Sequence, residues 1–205
     1  MLLAIDTSAG TSVAVVDRDA GILAQFDSVD TRGHAEIIGD FIEKALKHAG
    51  IAVTDLSGVV AGMGPGPFAG LRVGIAAARA FAFGAGKPVV PVVSHDAVAF
   101  GAAEPVVVVT DARRSEVYWS AYDAPDAQGL PTRIDGPSLS KADGFEPPAS
   151  AAGYRTLHVA QVSAGDLGLY AEALYANGRP FAADEALYLR SPDVTLSAGP
   201  KRVTS

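Results

Sequence analysis

The spacing of the apolar residues changes near residue 34, and this change constrains the fold more than any other feature of the chain. Before it, three β-rich runs are separated by two short turns, at 8–10 and 17–21, which predicts an antiparallel meander. After it, apolar residues recur at helical spacing and helices alternate with strands. The predicted elements are strands at 2–5, 11–16, 22–28, 59–63 and 89–93, and helices at 35–49, 68–84 and 94–102.

A meander followed by helix–strand alternation predicts a mixed sheet with helices packed on its faces. This order is typical of one ribonuclease-H-like half of an actin-like ATPase fold. Pro91 lies inside the last of these runs and places that strand at a sheet edge or a bulge. Ser94 follows it, and its hydroxyl predicts the N-cap of the next helix.

The second half of the chain begins in the same way as the first. Its strands are predicted at 106–110 and 116–122, a weaker one at 132–134 and a short one at 157–159, with helices opening at 138–142 and spanning 164–176. Repetition of one topology indicates a duplicated molecule. We therefore predict an α/β, two-lobed actin-like ATPase (ribonuclease-H-like) fold with mixed sheets flanked by helices. Its lobes are 1–102 and 103–205, the second degenerate and shortened.

Composition excludes several classes of function. The net charge of the 205-residue chain is −7, so its surface repels phosphate backbones, and a partner is expected to carry any contact with RNA. The absence of cysteine excludes disulfides and thiolate chemistry. The first residues lack the pattern of a signal peptide, and no apolar run approaches the length that crosses a bilayer. We therefore expect a cytoplasmic protein that contacts no membrane.

The first motif is Asp6-Thr7-Ser8, at the end of the first predicted strand. A carboxylate at a strand end beside hydroxyls can hold Mg²⁺ near a phosphate. The alternative is a hydrogen-bonded turn. We favour the turn, because no lysine or second glycine cluster lies nearby in the sequence.

The second motif is the loop 64–72, which opens the second helix. Glycines before a helix predict an anion site, because free N–H groups point outward there. Pro65 and Pro67 have no N–H to donate, and no Gly-Lys-Ser/Thr follows, so the loop is not a P-loop. The alternative, a rigid elbow whose glycines permit close packing, is physically the better interpretation.

Three further features each keep two interpretations. His34 has no second ligand one helical turn away, which argues against a protein metal site and favours a single structural or solvated histidine. Asp111 repeats the position of Asp6 and could face a cleft between the lobes, or it could belong to a charged hairpin turn with Arg113 and Glu116. The tail 187–192 is either a docking segment or an extended end packed on its own domain.

Taken together, these motifs resemble the TsaB family of tRNA threonylcarbamoyladenosine biosynthesis proteins. The resemblance runs from end to end of the chain and is strongest in the first lobe. The residues that carry it are Asp6, Thr7, Ser8, Gly64, Pro65, Gly66, Phe68, Gly70, Leu71, Arg72, Asp111, Arg113, Glu116, Tyr188, Leu189 and Arg190.

The resemblance implies a scaffold or dimerisation subunit that is not an enzyme alone and binds no cofactor alone. A TsaD-like catalytic subunit would carry the metal and the transfer chemistry that makes N6-threonylcarbamoyladenosine (t6A37) in tRNA. A TsaE-like P-loop ATPase would bind ATP, and family members also form homodimers. The chain departs from the family pattern in two ways. Pro67 and Ala69 stand where the family usually has hydroxyl residues, and the second lobe is shorter than usual around 145–154.

We further hypothesise that the second helix forms the partner surface, through Ala77, Arg79 and Phe81. Small residues let another helix approach closely, and an aromatic ring can anchor it. Phe81 and Phe83 cannot share one face, so one is expected to face the sheet and the other outward. The alternative is a helix buried within its own domain.

Two other functions stay open from the sequence alone. An active actin-like small-molecule kinase or ATPase predicts nucleotide binding by the isolated chain. A glycoprotease-like peptidase is the other, although the chain lacks metal-binding histidine pairs and a recognisable nucleophile motif.

Overall fold

Five strands form the first sheet of the structure, a computed structural model that describes residues 1–30 and 33–190. Their spatial order is β3-β2-β1-β4-β5. The first three strands form the predicted antiparallel meander, while β4 runs parallel to β1 and β5 parallel to β4. Strand β5 is an edge strand, as its proline predicts. The strands are β1 (Leu2–Asp6), β2 (Thr11–Asp17), β3 (Gly21–Ser28), β4 (Gly58–Gly62) and β5 (Val89–Val92).

Two long helices cover one face of this sheet. They are α1 (His34–Ala49) and α2 (Phe68–Ala85), and the apolar residues that they turn inward join those of β1, β2 and β4 in one buried core. Both helices end at a glycine in the left-handed conformation, Gly50 and Gly86, as glycine stops predict. A short third helix, α3 (Ser94–Phe100), follows β5.

The second sheet repeats the topology of the first and confirms the predicted duplication. Its order, β8-β7-β6-β9, matches the first four strands of the other sheet, with the same antiparallel and parallel pairings. Its strands are β6 (Val106–Arg113), β7 (Glu116–Asp123), β8 (Thr132–Lys141) and β9 (Arg155–Val159). Within the described residues it has no fifth strand, and a single 3₁₀ turn, Ala149–Ala151, stands where the first lobe has α1. The second lobe is therefore shortened.

The prediction that a helix opens at 138–142 is wrong, because Thr132–Lys141 is one ten-residue strand. Cross-strand contacts explain the difference. Ser138 pairs with Trp119 of β7, and the indole Nε1 of Trp119 donates a hydrogen bond of 2.8 Å to the Ser140 hydroxyl. Pairing with a neighbouring strand therefore decides this segment, as tertiary context often does in sheets.

The last described helix, α4 (Ala164–Ala176), lies exactly where the helical spacing predicts it but packs on the first sheet. Leu167 and Tyr170 join Leu2, Ala4 and Val16 on the sheet face opposite α1 and α2. A helix that the predicted boundary assigns to the second lobe thus completes the core of the first. The division at residue 102 stays a prediction.

By length and composition, α2 qualifies as a membrane-spanning helix, with 18 residues and a mean hydropathy of 1.3. This corrects the expectation that no apolar run approaches that length. One face of α2 is buried against its own sheet, as in the core helix of a globular domain. The opposite face of α2 is exposed and is also rich in apolar residues. Packing on the sheet does not explain why the exposed face of α2 is apolar.

After α4 the chain returns across the first lobe; we call residues 180–190 the return segment. The backbone N–H of Ala182 donates to the Pro91 carbonyl (3.1 Å), and that of Leu187 donates to the Met63 carbonyl (2.8 Å). The part of the predicted tail up to Arg190 therefore packs on its own chain, while Ser191 and Pro192 lie outside the described residues.

Candidate functional site

The carboxylate of Asp6 is enclosed at the end of β1. Its Oδ1 accepts hydrogen bonds from the Ser8 backbone N–H (2.8 Å) and hydroxyl (2.6 Å), and its Oδ2 accepts one from the Ser94 hydroxyl (2.6 Å). Asp6 is 1% exposed. Burial raises the pKa of its carboxyl, although the hydrogen bonds oppose that shift. The geometry agrees with the hydrogen-bonded turn and leaves this carboxylate no open face toward a phosphate-bound cation.

Glycines of the second motif let the loop and α2 approach this turn. A β-carbon at Gly66 would lie 2.8 Å from the backbone of Ser8, and one at Gly70 would lie 2.7 Å from the Thr7 carbonyl oxygen. These separations are too short for any other residue. Gly66 is itself a buried residue. The glycines therefore serve close backbone packing, as the elbow interpretation states.

Ser94 links the two motifs, and sequence reasoning assigns it another role. Its hydroxyl donates to Asp6 and accepts the Gly64 N–H (3.0 Å), while its own N–H donates to the Gly64 carbonyl (2.8 Å). The predicted N-cap is wrong, because Val93 holds that position without a side-chain cap. The only sequence signal for the contact between Ser94 and Asp6 is that Ser94 places a hydroxyl shortly after the end of β5.

His34 lies under the same turn as a single buried side chain. Its Nδ1 and the Thr11 hydroxyl share a hydrogen bond of 2.6 Å, and burial lowers the pKa of its imidazole. Between residues 1–30 and 33–190, no group of three or more His, Cys, Asp or Glu side chains could hold a metal ion. Within that part of the chain, His34 is a structural histidine.

A cleft of about 440 Å³ separates the loop 66–69 from the β6–β7 turn. Arg113, Arg114 and Arg190 line it together with Tyr118 and Tyr188. Nearby carboxylates partly neutralise the positive charge of the cleft. Arg190 forms an ion pair with Glu116, and Arg113 lies 3.6 Å from the Asp111 carboxylate. The cleft thus brings the third motif and the tail beside Gly66 and Phe68. Asp6 is not part of its lining.

The β6–β7 turn that forms one wall of the cleft has an unusual backbone. Arg113, Arg114 and Ser115 have φ values of 65°, 55° and 58°, so three successive residues other than glycine are left-handed. Such conformations cost energy and occur most often at functional sites. The opposite wall has two ring contacts: the tilted rings of Phe68 and Tyr188 lie 4.7 Å apart between their centroids, and the Arg72 guanidinium lies 5.1 Å from the Phe68 ring.

The residues predicted to contact a partner do not lie on one surface. Ala77 and Phe81 are half-buried and pack against the core of the first lobe. Arg79 is exposed but forms an ion pair with Asp184 of the return segment, at 2.7 Å. Phe83 is the ring that faces outward, and it is 91% exposed. Ala77 and Phe81 thus pack partly against their own domain, and their contact with a partner stays a prediction.

A different stripe of α2 is exposed, which we call the α2 outer face. It follows helical spacing along the whole helix and is composed of small residues, one cation and one large ring. Its members are Ala69, Arg72, Ala76, Ala80 and Phe83.

Comparisons with known proteins place the chain in a family. A family model described as TsaD: tRNA N6-adenosine threonylcarbamoyltransferase matches residues 21–132. An uncharacterized protein of Mycobacterium tuberculosis is 38% identical over 203 residues, which cover 94% of this chain and 92% of that protein. The tRNA threonylcarbamoyladenosine biosynthesis protein TsaB of Escherichia coli is 34% identical over 134 residues, 63% of this chain and 57% of TsaB.

The fold of the whole chain also has a close counterpart among solved structures. A Pseudomonas aeruginosa protein, described as similar to the peptidase YeaZ, superimposes with a TM-score of 0.76. It is 25% identical, and the match covers 92% of this chain and 99% of that one. Both lobes and their connection are therefore shared.

Proposed function

This chain belongs to the family of TsaB/YeaZ-type proteins, and from that premise we propose that it takes part in threonylcarbamoyladenosine biosynthesis on tRNA. In this proposal it is a non-catalytic scaffold for a TsaD-like catalytic subunit in the cytoplasm. A TsaE-like ATPase joins the complex and supplies nucleotide chemistry. The net charge of −7 favours contact with tRNA through the partner rather than through this chain.

The enclosure of Asp6 is the observation that carries the non-catalytic role. A kinase of this architecture needs an accessible carboxylate to hold a metal ion near the transferred phosphate. Here three hydrogen bonds occupy the Asp6 oxygens, and Gly62 at the end of β4 packs so closely against Oδ2 that an added β-carbon would overlap it. Opening this site would break buried hydrogen bonds, each of which is expensive to leave unmade. The kinase alternative is therefore disfavoured.

The α2 outer face is the surface that we assign to partner contact. Phe83 is nearly fully exposed, and Ala76 and Ala80 present no bulk beside it. An exposed apolar stripe on an otherwise charged molecule is typical of protein interfaces. Small residues permit a facing helix to approach, and a protruding ring fits the anchor role found in interfaces. In a homodimer, which we also propose, a second copy of this chain would contact the same stripe.

Co-expression with a TsaD-like catalytic subunit tests this proposal directly. We expect a stable complex on size exclusion, and restored threonylcarbamoyladenosine in tRNA of a host whose own TsaB is depleted, measured by mass spectrometry of nucleosides. Calorimetry with ATP and Mg²⁺ on the isolated chain is the matched control and should give no binding heat. Tight ATP binding by this chain alone, without complex formation, would reject the scaffold role in favour of a kinase.

A further inference from the structure

A second cavity, of about 420 Å³, lies beside the edge strand β5, where residues of both lobes meet. It is bounded by α3, β8, α4 and the return segment, and none of the family motif residues lines it. Its volume is in the range of small-molecule sites. This cavity is therefore separate from the cleft at the Gly-Pro loop and from the α2 outer face.

One wall of the cavity has a carboxylate and a guanidinium. Arg133 lies 3.2 Å from Oδ1 of Asp96, and the Tyr122 hydroxyl donates a hydrogen bond of 2.7 Å to the same oxygen. Both contacts use Oδ1, so Oδ2 of Asp96 accepts no hydrogen bond from a described residue. The side chains of Arg133 and Asp96 are 32% and 17% exposed, and both residues line the cavity.

The buried phenol of Tyr170 is the second polar feature. Tyr170 lines the cavity and is 6% exposed, with its ring 5.4 Å from that of Phe100. No hydrogen bond joins its hydroxyl to any residue of the described chain, and burial raises its pKa, so it keeps its proton. No buried side-chain polar atom of the described residues lacks a hydrogen-bond partner, so this unpaired hydroxyl is accessible, and a molecule in the cavity can bond to it.

The rest of the lining is an apolar floor with one further charged side chain. Met63, Val92, Leu174 and Phe181 supply apolar surface. The return segment supplies Glu185, which is exposed and has no ion pair with a described residue. An apolar pocket with a few convergent polar groups is the usual form of a ligand site.

We propose that this cavity binds a small zwitterion with an apolar side chain, of the α-amino acid class. The two carboxylates, Asp96 and Glu185, suit its ammonium group, and Arg133 together with the Tyr170 hydroxyl suits its carboxylate. The floor takes the side chain. The assignment goes beyond the scaffold role, because it depends on none of the residues proposed to contact a partner.

Calorimetry and thermal unfolding of the full chain, with L-leucine and L-phenylalanine as probes, test the proposal. Leucinamide lacks the carboxylate and 4-methylpentanoate lacks the amine, so both serve as matched analogues. We expect saturable binding of at least one amino acid at millimolar concentration or below, with a higher Tm. We expect at least tenfold weaker binding of both analogues. Absence of binding by both amino acids, or equal binding of the analogues, would overturn it.

Two mild variants locate the bound molecule. Tyr170→Phe removes only the hydroxyl and should weaken binding about three- to tenfold, and Glu185→Gln should do so by a similar factor. Tyr154→Phe and Glu146→Gln, which change residues outside the cavity, are the matched controls and should bind as the unaltered chain does. Binding that survives both cavity variants unchanged would place the ligand elsewhere and refute the assignment.

Discussion

The Thr7 hydroxyl accepts the backbone N–H of Gly74 at 3.1 Å, across 67 residues of sequence. The same hydroxyl donates to the Gly70 carbonyl at 2.7 Å. A β-carbon at Gly74 would overlap the Thr7 side chain, so only glycine lets α2 lie this close to the β1–β2 turn. The first two motifs thus pack directly against each other. The effect of this close packing on the stability of the protein can be measured.

Gly74→Ala should lower the free energy of unfolding by about 1–3 kcal/mol, because the new methyl group forces α2 and Thr7 apart. Gly39→Ala is the matched control: it also lies inside a helix, but nothing is within 4 Å of its added β-carbon. That change should instead stabilise by up to about 1 kcal/mol, through helix propensity. Urea unfolding of both variants checks the contrast, and equal stabilisation by the two would disprove the close contact.

The first lobe is predictable from sequence because its signals are local. Period-two runs, short turns and helical spacing each follow from neighbouring residues, and Gly50 and Gly86 end the helices where expected. The second lobe contains one local error, since the segment around Ser138 owes its extended form to pairing with β7. That information lies in a distant part of the chain.

The candidate site shows the same limit. The motifs around Asp6 and Gly66 stand out in the sequence, but their mutual contact, and Ser94 between them, depend on how α2 and α3 pack. Likewise, helical spacing separates Phe81 from Phe83 without saying which ring faces the sheet. Which of the two rings is buried depends on how α2 packs on the sheet, and that packing is a property of the whole fold.

A double-mutant cycle between Asp6 and Ser94 should reveal strong coupling. Asp6→Asn turns an amide toward the Ser94 hydroxyl, which then loses its acceptor, and Ser94→Ala leaves Oδ2 of Asp6 without its donor. Each single variant should lose about 1–3 kcal/mol of stability. The double variant should lose less than the sum, with a coupling energy of about 0.5–3 kcal/mol. Additive losses would show that the two side chains do not interact.

Acid sensitivity should arise from His95, which lies fully buried between the hydroxyls of Thr110 and Ser120, at 2.9 Å from each. Burial lowers the pKa of its imidazole to about 3, from 6.5. The unfolded chain therefore takes up this proton at a higher pH than the folded chain. The contribution to stability is complete above pH 6.5 and is lost as the pH falls from 6.5 toward 3, by at most about 1.4 kcal/mol per pH unit.

His95→Gln provides the comparison, because it keeps a donor and an acceptor but does not titrate. The raised pKa values of Asp6 and Asp96 act in the opposite direction and are common to both proteins, so they cancel in the difference. Urea midpoints between pH 4 and 8 should show the unaltered chain more stable at pH 8 and the gap narrowing on acidification. A gap independent of pH would show that His95 is not the titrating group.

Phe83→Glu tests the partner surface without disturbing the fold. Because Phe83 is 91% exposed, stability should change by no more than about 0.5 kcal/mol. Affinity for a co-expressed TsaD-like subunit should fall by about 2 kcal/mol or more, roughly 30-fold, since an anchoring ring is replaced by a charge. Tyr175→Glu, at a 75% exposed ring on α4, is the matched control and should bind normally. Pull-down and calorimetry measure both variants, and an intact complex with Phe83→Glu would exclude the α2 outer face as the interface.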